Sequence, residues 1–229
     1  MLRHPTNGSL WTKIDRTYPK FELDARNIRF GLSTDVMNPF SEMSSGHSTW
    51  PVTLCIYNLP QWLCMKRKFI MMPILIPGPK QPGNDIDVYL RPLVEELLLL
   101  WRKEGVRMWD EYKQEDFNLR ALLFVTINDW PALSNLSGQS NKGYRACTHC
   151  LEDTDNMWLT HCRKCIYMGH CRFLPVRHQV RRKSKHFKGQ ADHRTKSMHR
   201  SGKNDFKMVK DLEVVFGKGQ GSQPVSSEN

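Results

Sequence analysis

The stretch Asn27-Ile28-Arg29-Phe30-Gly31-Leu32-Ser33-Thr34-Asp35 sets Ile28, Phe30 and Leu32 against Arg29, Gly31 and Ser33. A half-buried β-strand has this period of two, because successive side chains point to opposite faces of a sheet. Asp35 then falls at the end of the strand, before Asn38-Pro39 and the small polar residues from Ser41 to Ser48 break the pattern. On the N-terminal side, Asp15 to Asp24 is polar and turn-like around Pro19, so residues 1–25 read as an irregular lead-in.

Downstream, Thr49 to Leu59 carries Trp50, Val52, Leu54, Ile56 and Leu59 and predicts a second strand bounded by Pro60. A third is predicted from Lys68 to Ile76, stopped by the turn-rich residues 77–83, and short connections make the three a meander. Asp87 can cap a helix in which Leu90, Leu93, Val94, Leu97, Leu98 and Trp101 recur at spacings of three and four, ending near Gly105. Proline is tolerated only in a first turn, so Pro92 sets the regular part of that helix to start near Leu90. A shorter helical piece is predicted from Met108 to Asp116. Arg120 to Ile127 is a nearly unbroken apolar run of strand length, the pattern of a strand buried on both faces, and it closes at Asn128-Asp129-Trp130-Pro131.

Strand, strand, strand, helix, strand resembles the element order of the ribonuclease H-like fold, an α/β fold in which the first and fourth strands lie side by side. That resemblance implies an incomplete core of β-β-β-α-β form over residues 26–135, with carboxylates at the ends of those two strands converging. Asp35 and Asp129 are then the candidate catalytic acids. Magnesium is a hard cation commonly held by one or two carboxylates plus waters and substrate phosphate. A pair of such ions can stabilise both the attacking and the leaving oxygen of a phosphodiester displacement.

Longer motifs carry a family resemblance. Residues 26–40 (Arg-Asn-Ile-Arg-Phe-Gly-Leu-Ser-Thr-Asp-Val-Met-Asn-Pro-Phe), 48–51 (Ser-Thr-Trp-Pro), 57–60 (Tyr-Asn-Leu-Pro), 76–80 (Ile-Pro-Gly-Pro-Lys), 82–90 (Pro-Gly-Asn-Asp-Ile-Asp-Val-Tyr-Leu), 126–132 (Thr-Ile-Asn-Asp-Trp-Pro-Ala) and 135–138 (Asn-Leu-Ser-Gly) are similar to the transposase of plant En/Spm (CACTA) elements. Residues 167–175 (Tyr-Met-Gly-His-Cys-Arg-Phe-Leu-Pro) and 215–219 (Val-Phe-Gly-Lys-Gly) continue the resemblance. It implies a DDE/D-type transposase of the nucleus, using Mg²⁺ or Mn²⁺ to cut DNA at element ends and join a 3′ hydroxyl to target DNA. Asp35 and Asp129 match its first two metal-binding acids. Val36 stands where the family pattern usually has Gly, and a β-branched residue is penalised if that position needs a positive φ. No acid after Asp129 lies in a convincing helical context, Glu213 being the nearest, so the third acid is not expected within these residues and the fragment is expected to be inactive alone. A non-catalytic, zinc-containing DNA-binding protein derived from a transposase is the alternative.

Five of the seven cysteines crowd between Cys147 and Cys171, in a chain whose first residues lack the apolar run of a signal peptide. Clustering of this kind in a protein expected to stay inside the cell points to metal rather than disulfides. Cys55 and Cys64, set among apolar residues, read as buried thiols. Two CxxC pairs, Cys147/Cys150 and Cys162/Cys165, predict a structural zinc site within a small module over residues 136–180. Spacing alone favours those four cysteines, whereas the resemblance draws in His170 and His178. A set of Cys147, Cys150 and His170 with Cys165 or His178 is chemically as sound.

The formal charge of +11 is uneven: residues 1–140 hold 16 Lys/Arg against 15 Asp/Glu, and residues 141–229 hold 18 against 8. A basic half suggests a polyanionic partner, since Lys and Arg release condensed counterions from phosphates. Within the basic segment over 181–229 and just before it, Arg177, Arg181, Arg182, Lys183, Lys185 and Lys188 are the candidate phosphate contacts or a nuclear import signal, with a solvated linker as the plainer reading. The most apolar run, Ile70 to Ile76, is far shorter than a bilayer span needs, so no membrane partner is expected. Self-association into a homo-oligomer is left open.

Overall fold

The computed structural model describes residues 4–40, 47–140, 142–186, 193–196 and 200–213. The chain divides into two compact units, residues 1–136 and 137–229. In the first, β1 (Ile28–Thr34), β2 (Trp50–Ile56) and β3 (Ile70–Ile76) form an antiparallel meander. The later strand β6 (Ala121–Ile127) returns parallel to β1, giving a mixed four-stranded sheet of order β3-β2-β1-β6. Pro73 is accommodated because β3 is an edge strand of this sheet. Its register against β2 shifts between Val52 and Leu54, where a missing N–H costs no ladder bond.

One face of the sheet carries helix α4 (Ile86–Trp101). Its Ile86, Leu90 and Leu93 join Phe30, Leu32, Trp50, Val52, Leu54 and Ile76 in the buried core. The helix begins before Pro92 rather than at Leu90. It keeps the proline in its interior, where a free helix would lose roughly 3 kcal/mol. Burial of Leu90 and Leu93 on either side of the proline offsets that loss, at about 1.5–3 kcal/mol for each fully buried side chain. The helix ends at Trp101, ahead of Gly105 at φ +64°.

The other face is covered too, contrary to the half-buried strand expected. The lead-in expected to be irregular over residues 1–25 is helical in its described part: Ser9–Thr17 forms helix α1 and Pro19–Glu22 a single turn, α2. Trp11 meets Phe124 of β6 edge to face at 5.4 Å. Arg29 is buried at 5% exposure, paired with Asp15 of α1 and lying 4.2 Å from the centre of the Trp11 ring. A buried guanidinium is tolerable only when charge and hydrogen bonds are supplied, and α1 supplies the carboxylate. Gly31, on the same face, lies under Tyr57.

Two further expectations are corrected. Met108 to Asp116 is not helical: Val106–Asp110 (β4) and Glu115–Leu119 (β5) pair as an antiparallel hairpin. Its turn is set by Asp110, whose Oδ1 accepts the N–H groups of Tyr112 and Lys113, both at 3.1 Å, with Gln114 at φ +55°. Arg26 ties the hairpin to the start of the sheet, donating to Asp24 at 2.8 Å, Asp110 at 3.0 Å and Glu115 at 2.9 Å and lying 4.0 Å over Phe117. That guanidinium holds the Asp24 carboxyl below the usual carboxylate range. Nor is β6 buried on both faces, since Leu123 is 40% and Ile127 56% exposed, and among the described residues it is an edge strand.

The second unit contains a short hairpin, β7 (Asn156–Leu159) with β8 (Lys164–Tyr167), several single 3₁₀ turns and helix α6 (Gly202–Val209). In the first unit β6 is followed by α5 (Trp130–Ser137), and α3 (Gln61–Cys64) is a single turn in the β2–β3 connection.

A Cβ on Gly31 would sit 2.4 Å from Cε2 of the buried Tyr57 ring. Gly31→Ala is therefore expected to lower stability by about 1–3 kcal/mol in urea melts. Most of that loss should vanish when the substitution is made in a Tyr57→Ala background.

Candidate active site

The parallel register of β1 and β6 sets Ser33 opposite Ile127. One step further, the Thr34 N–H donates to Oδ1 of Asn128 at 3.2 Å, which extends the pairing by a side chain where the ladder stops. Asp35 and Asp129 are the next residues, so both acids leave the carboxyl ends of adjacent parallel strands, and both are exposed. Asp129 also starts α5: its Oδ1 accepts the Ala132 N–H at 2.8 Å and its carbonyl accepts the Leu133 N–H at 2.9 Å. Asp35 Oδ1 accepts the Val36 N–H at 2.7 Å. Among the described residues, Oδ2 of each acid is left without a hydrogen-bond donor, and two such oxygens suit a hard divalent cation.

Val36 is not strained. Among the described residues the non-glycine positions with positive φ are Gln114, Leu151 and Arg163, so Val36 sits in ordinary backbone space and the expected penalty for replacing glycine is absent. Glu213 lies in the second unit, exposed and just past α6.

The cysteine cluster is only partly gathered. Cys147 and Cys150 form a tight turn in which the Cys150 N–H donates to Cys147 Sγ at 3.3 Å and the Leu151 N–H to the Cys147 carbonyl at 2.8 Å, with Leu151 at φ +49°. Cys165 lies in β8 opposite Trp158, and Cys162 is exposed in the β7–β8 turn. Burial, then the thiols of Cys165 and Cys147, push the Tyr167 phenol up. His170 is exposed, and His178 caps a 3₁₀ turn through Nδ1, which accepts the Val180 N–H at 3.3 Å. Among the described residues, no group of three or more His, Cys, Asp or Glu side chains is arranged to hold a metal ion. Of the three remaining thiols Cys64 is buried and Cys171 and Cys55 are half-buried, the Cys55 thiol pushed up by burial and by Cys64.

Arg172 was not among the candidates. It is 8% exposed and donates through Nη2 to Cys150 Sγ at 2.8 Å and to the Asp153 carbonyl at 3.1 Å. Its place in a stretch of family resemblance gave no chemical signal of that contact.

Arg177, Arg182, Lys183 and Lys185 are exposed, as phosphate contacts must be. Arg181 is not: at 2% exposure it donates to the carbonyls of Leu174, at 3.1 Å, and Arg194, so it braces the loop from inside. Lys188 lies outside the described residues.

A family model described as transposase family tnp2 matches residues 1–212. The chain belongs to that family. Membership of a transposase family carries DNA as the partner. No curated protein matches the sequence, and no described helix is long and apolar enough to cross a membrane.

In this tnp2 chain Asp129 has two separable roles, capping α5 and presenting a carboxylate. Asp129→Ala is expected to cost about 1 kcal/mol through loss of the cap, read as a lower urea midpoint. Asp129→Asn, which caps equally well, should melt like the parent.

Proposed function

We propose that the chain is the catalytic region of an En/Spm (CACTA)-type transposase, with Asp35 and Asp129 as two of the acids that hold Mg²⁺ or Mn²⁺ for DNA strand cleavage and transfer. The observation that carries this reading is the position of both acids one residue beyond the Thr34–Asn128 contact, on neighbouring parallel strands. The order β3-β2-β1-β6 with α4 on one face supports a ribonuclease H-like origin for the sheet.

The acids fit the group: both are exposed, and each has an oxygen free of hydrogen bonds among the described residues. A bound divalent ion would supply charge stabilisation to the phosphodiester oxygens. The chain's own contribution is positional. The β1–β6 ladder fixes the two backbones, the Ala132 and Val36 N–H groups each hold one oxygen of their acid, and Asp129 caps the start of α5.

The second reading, a non-catalytic DNA-binding protein derived from a transposase, differs in one measurable respect. Under the first, the transposase that carries this region nicks duplex DNA in Mg²⁺ or Mn²⁺, the region alone being expected to be inactive for want of a third acid. Asp35→Asn and Asp129→Asn should then each reduce the rate by at least the 10–100-fold that loss of even an outer-shell partner of a metal costs. Duplex binding without nicking by the transposase that carries this region would establish the second reading instead.

Zinc belongs to this proposal as a structural ion anchored on the Cys147–Cys150 turn, where the Cys150 N–H already donates to Cys147 Sγ. Cys162, Cys165, His170 and His178 form the pool for the remaining ligands, and binding would draw them in, as metal binding couples to folding. Elemental analysis of protein purified without chelator should find about one zinc per chain. Cys147→Ser should lose it, and a metal-free parent chain would overturn this assignment.

A further inference from the structure

The connection between β2 and β3 carries chemistry that neither the acids nor the cysteines use. Between Glu42 and Asp85 the chain has no Asp or Glu, yet it has Lys66, Arg67 and Lys68 in succession. All three are exposed, and among the described residues no carboxylate pairs with any of them. Beside them stand two large apolar side chains that the fold leaves in solvent, Trp62 at 66% and Met65 at 65% exposure. Burying these elsewhere would have stabilised the unit, so their exposure calls for a partner.

The tip is held in shape. Leu63 and Cys64 N–H groups donate to the Pro60 carbonyl at 2.8 and 3.0 Å, Lys66 N–H to Leu63 at 2.9 Å, and Phe69 N–H to Lys66 at 2.8 Å. Cys64, at 4% exposure, anchors it from below. Asn58 fastens its base to β1, accepting the Arg29 N–H and donating to the Asn27 carbonyl, both at 2.8 Å. Little ordering entropy remains to be lost on binding.

We propose that this β2–β3 tip is a duplex-DNA contact, in which Lys66, Arg67 and Lys68 neutralise backbone phosphates while Trp62 and Met65 press on the groove. The inference rests on DNA being the partner, as family membership carries, and assigns a surface that the cleavage reading does not require. Three adjacent cations with no acid nearby match a phosphate run. A large apolar side chain flanked by cations is the arrangement that wedges against base steps. The end of a two-stranded hairpin is of a width the major groove admits. Because β2 runs antiparallel to β1, the tip lies at the end of the sheet where β1 begins, away from Asp35. Seven residues of strand separate them by about 20 Å, the rise of about six base pairs. The tip therefore grips duplex to one side of the acids rather than at the scissile bond.

The test uses the full 229-residue chain and fluorescence anisotropy with a labelled 30-base-pair duplex and the matching single strand, across a salt series. Replacing Lys66, Arg67 and Lys68 together by Gln should weaken duplex binding and make the slope of log affinity against log salt shallower by about 2–3. Arg67→Gln alone, a milder change, should make it shallower by about 1. Trp62→Ala should weaken duplex binding several-fold with the slope unchanged. Duplex affinity and slope equal to the parent's in all three variants would overturn the proposal while leaving the cleavage reading intact, as would loss confined to the single strand. Failure of the parent chain itself to bind DNA would overturn both.

Discussion

The candidate site depends on the parallel pairing of β1 with β6. Every other neighbour of β1 is local, since β2 follows within a meander, but β6 arrives more than eighty residues later, after a helix and a second hairpin. Only this long-range ladder brings Asp35 and Asp129 to adjacent strand ends. The register matters as much as the pairing: shifting β6 by one residue would turn Asp129 to the other face and move the α5 cap with it. Three features pin that register. Ala121 is fully buried against the core, Phe124 is bulged toward α1 where the ladder skips between Phe30 and Gly31, and Asn128 accepts the Thr34 N–H at the ladder's end.

Burial of β1 on both faces explains why its polar residues do not behave as surface residues. Arg29 would have faced solvent in a two-layer sheet. Here α1 and α2 close over it, α1 giving Asp15 for charge and Trp11 for stacking and α2 giving Phe21. The lead-in thus completes the core instead of decorating it. Gly31 belongs to the same constraint, because only a residue without Cβ lets the Tyr57 ring lie against the strand. The aromatic chain continues from Tyr57 to Phe124 to Trp11, joining the β2–β3 connection, the last strand and the first helix on one face.

Much of this sheet was legible from side-chain period alone. The first three strands and the main helix were read within a few residues, since each shows a clean spacing of two or of three and four. The misreadings have identifiable causes. Pro92 suggested a late helix start, but the propensity cost of an interior proline is smaller than the burial of Leu90 and Leu93 around it. Met108 to Asp116 looked helical because the two five-residue strands are too short to establish a period, and the acids that bind Arg26 sit more than eighty positions away from it. The apolar run of β6 implied two covered faces, whereas an apolar run reports only that water is disfavoured. It cannot say whether the cover comes from described residues. At the site, the two acids were legible as strand ends, but their partners were not. A cap on Ala132 and an unstrained Val36 are properties of backbone geometry, and sequence shows residue identity only.

Charge shows the same limit in another form. Counted by halves, the first 140 residues are almost neutral and the nucleic-acid signal seems to lie wholly in the second half. Folding redistributes that count. Asp15, Asp24, Asp110 and Glu115 are spent on Arg26 and Arg29, so part of the neutrality of the first unit is opposite charges that have already found each other. Lys66, Arg67 and Lys68 stand within a stretch, residues 43–84, that has no Asp or Glu, and the hairpin gathers them at one tip. In the second half the reverse happens to Arg181, which is counted as a surface cation and yet bonds two carbonyls from inside. Phosphate binding depends on cations left unpaired at the surface, a quantity that the net charge of a segment does not measure.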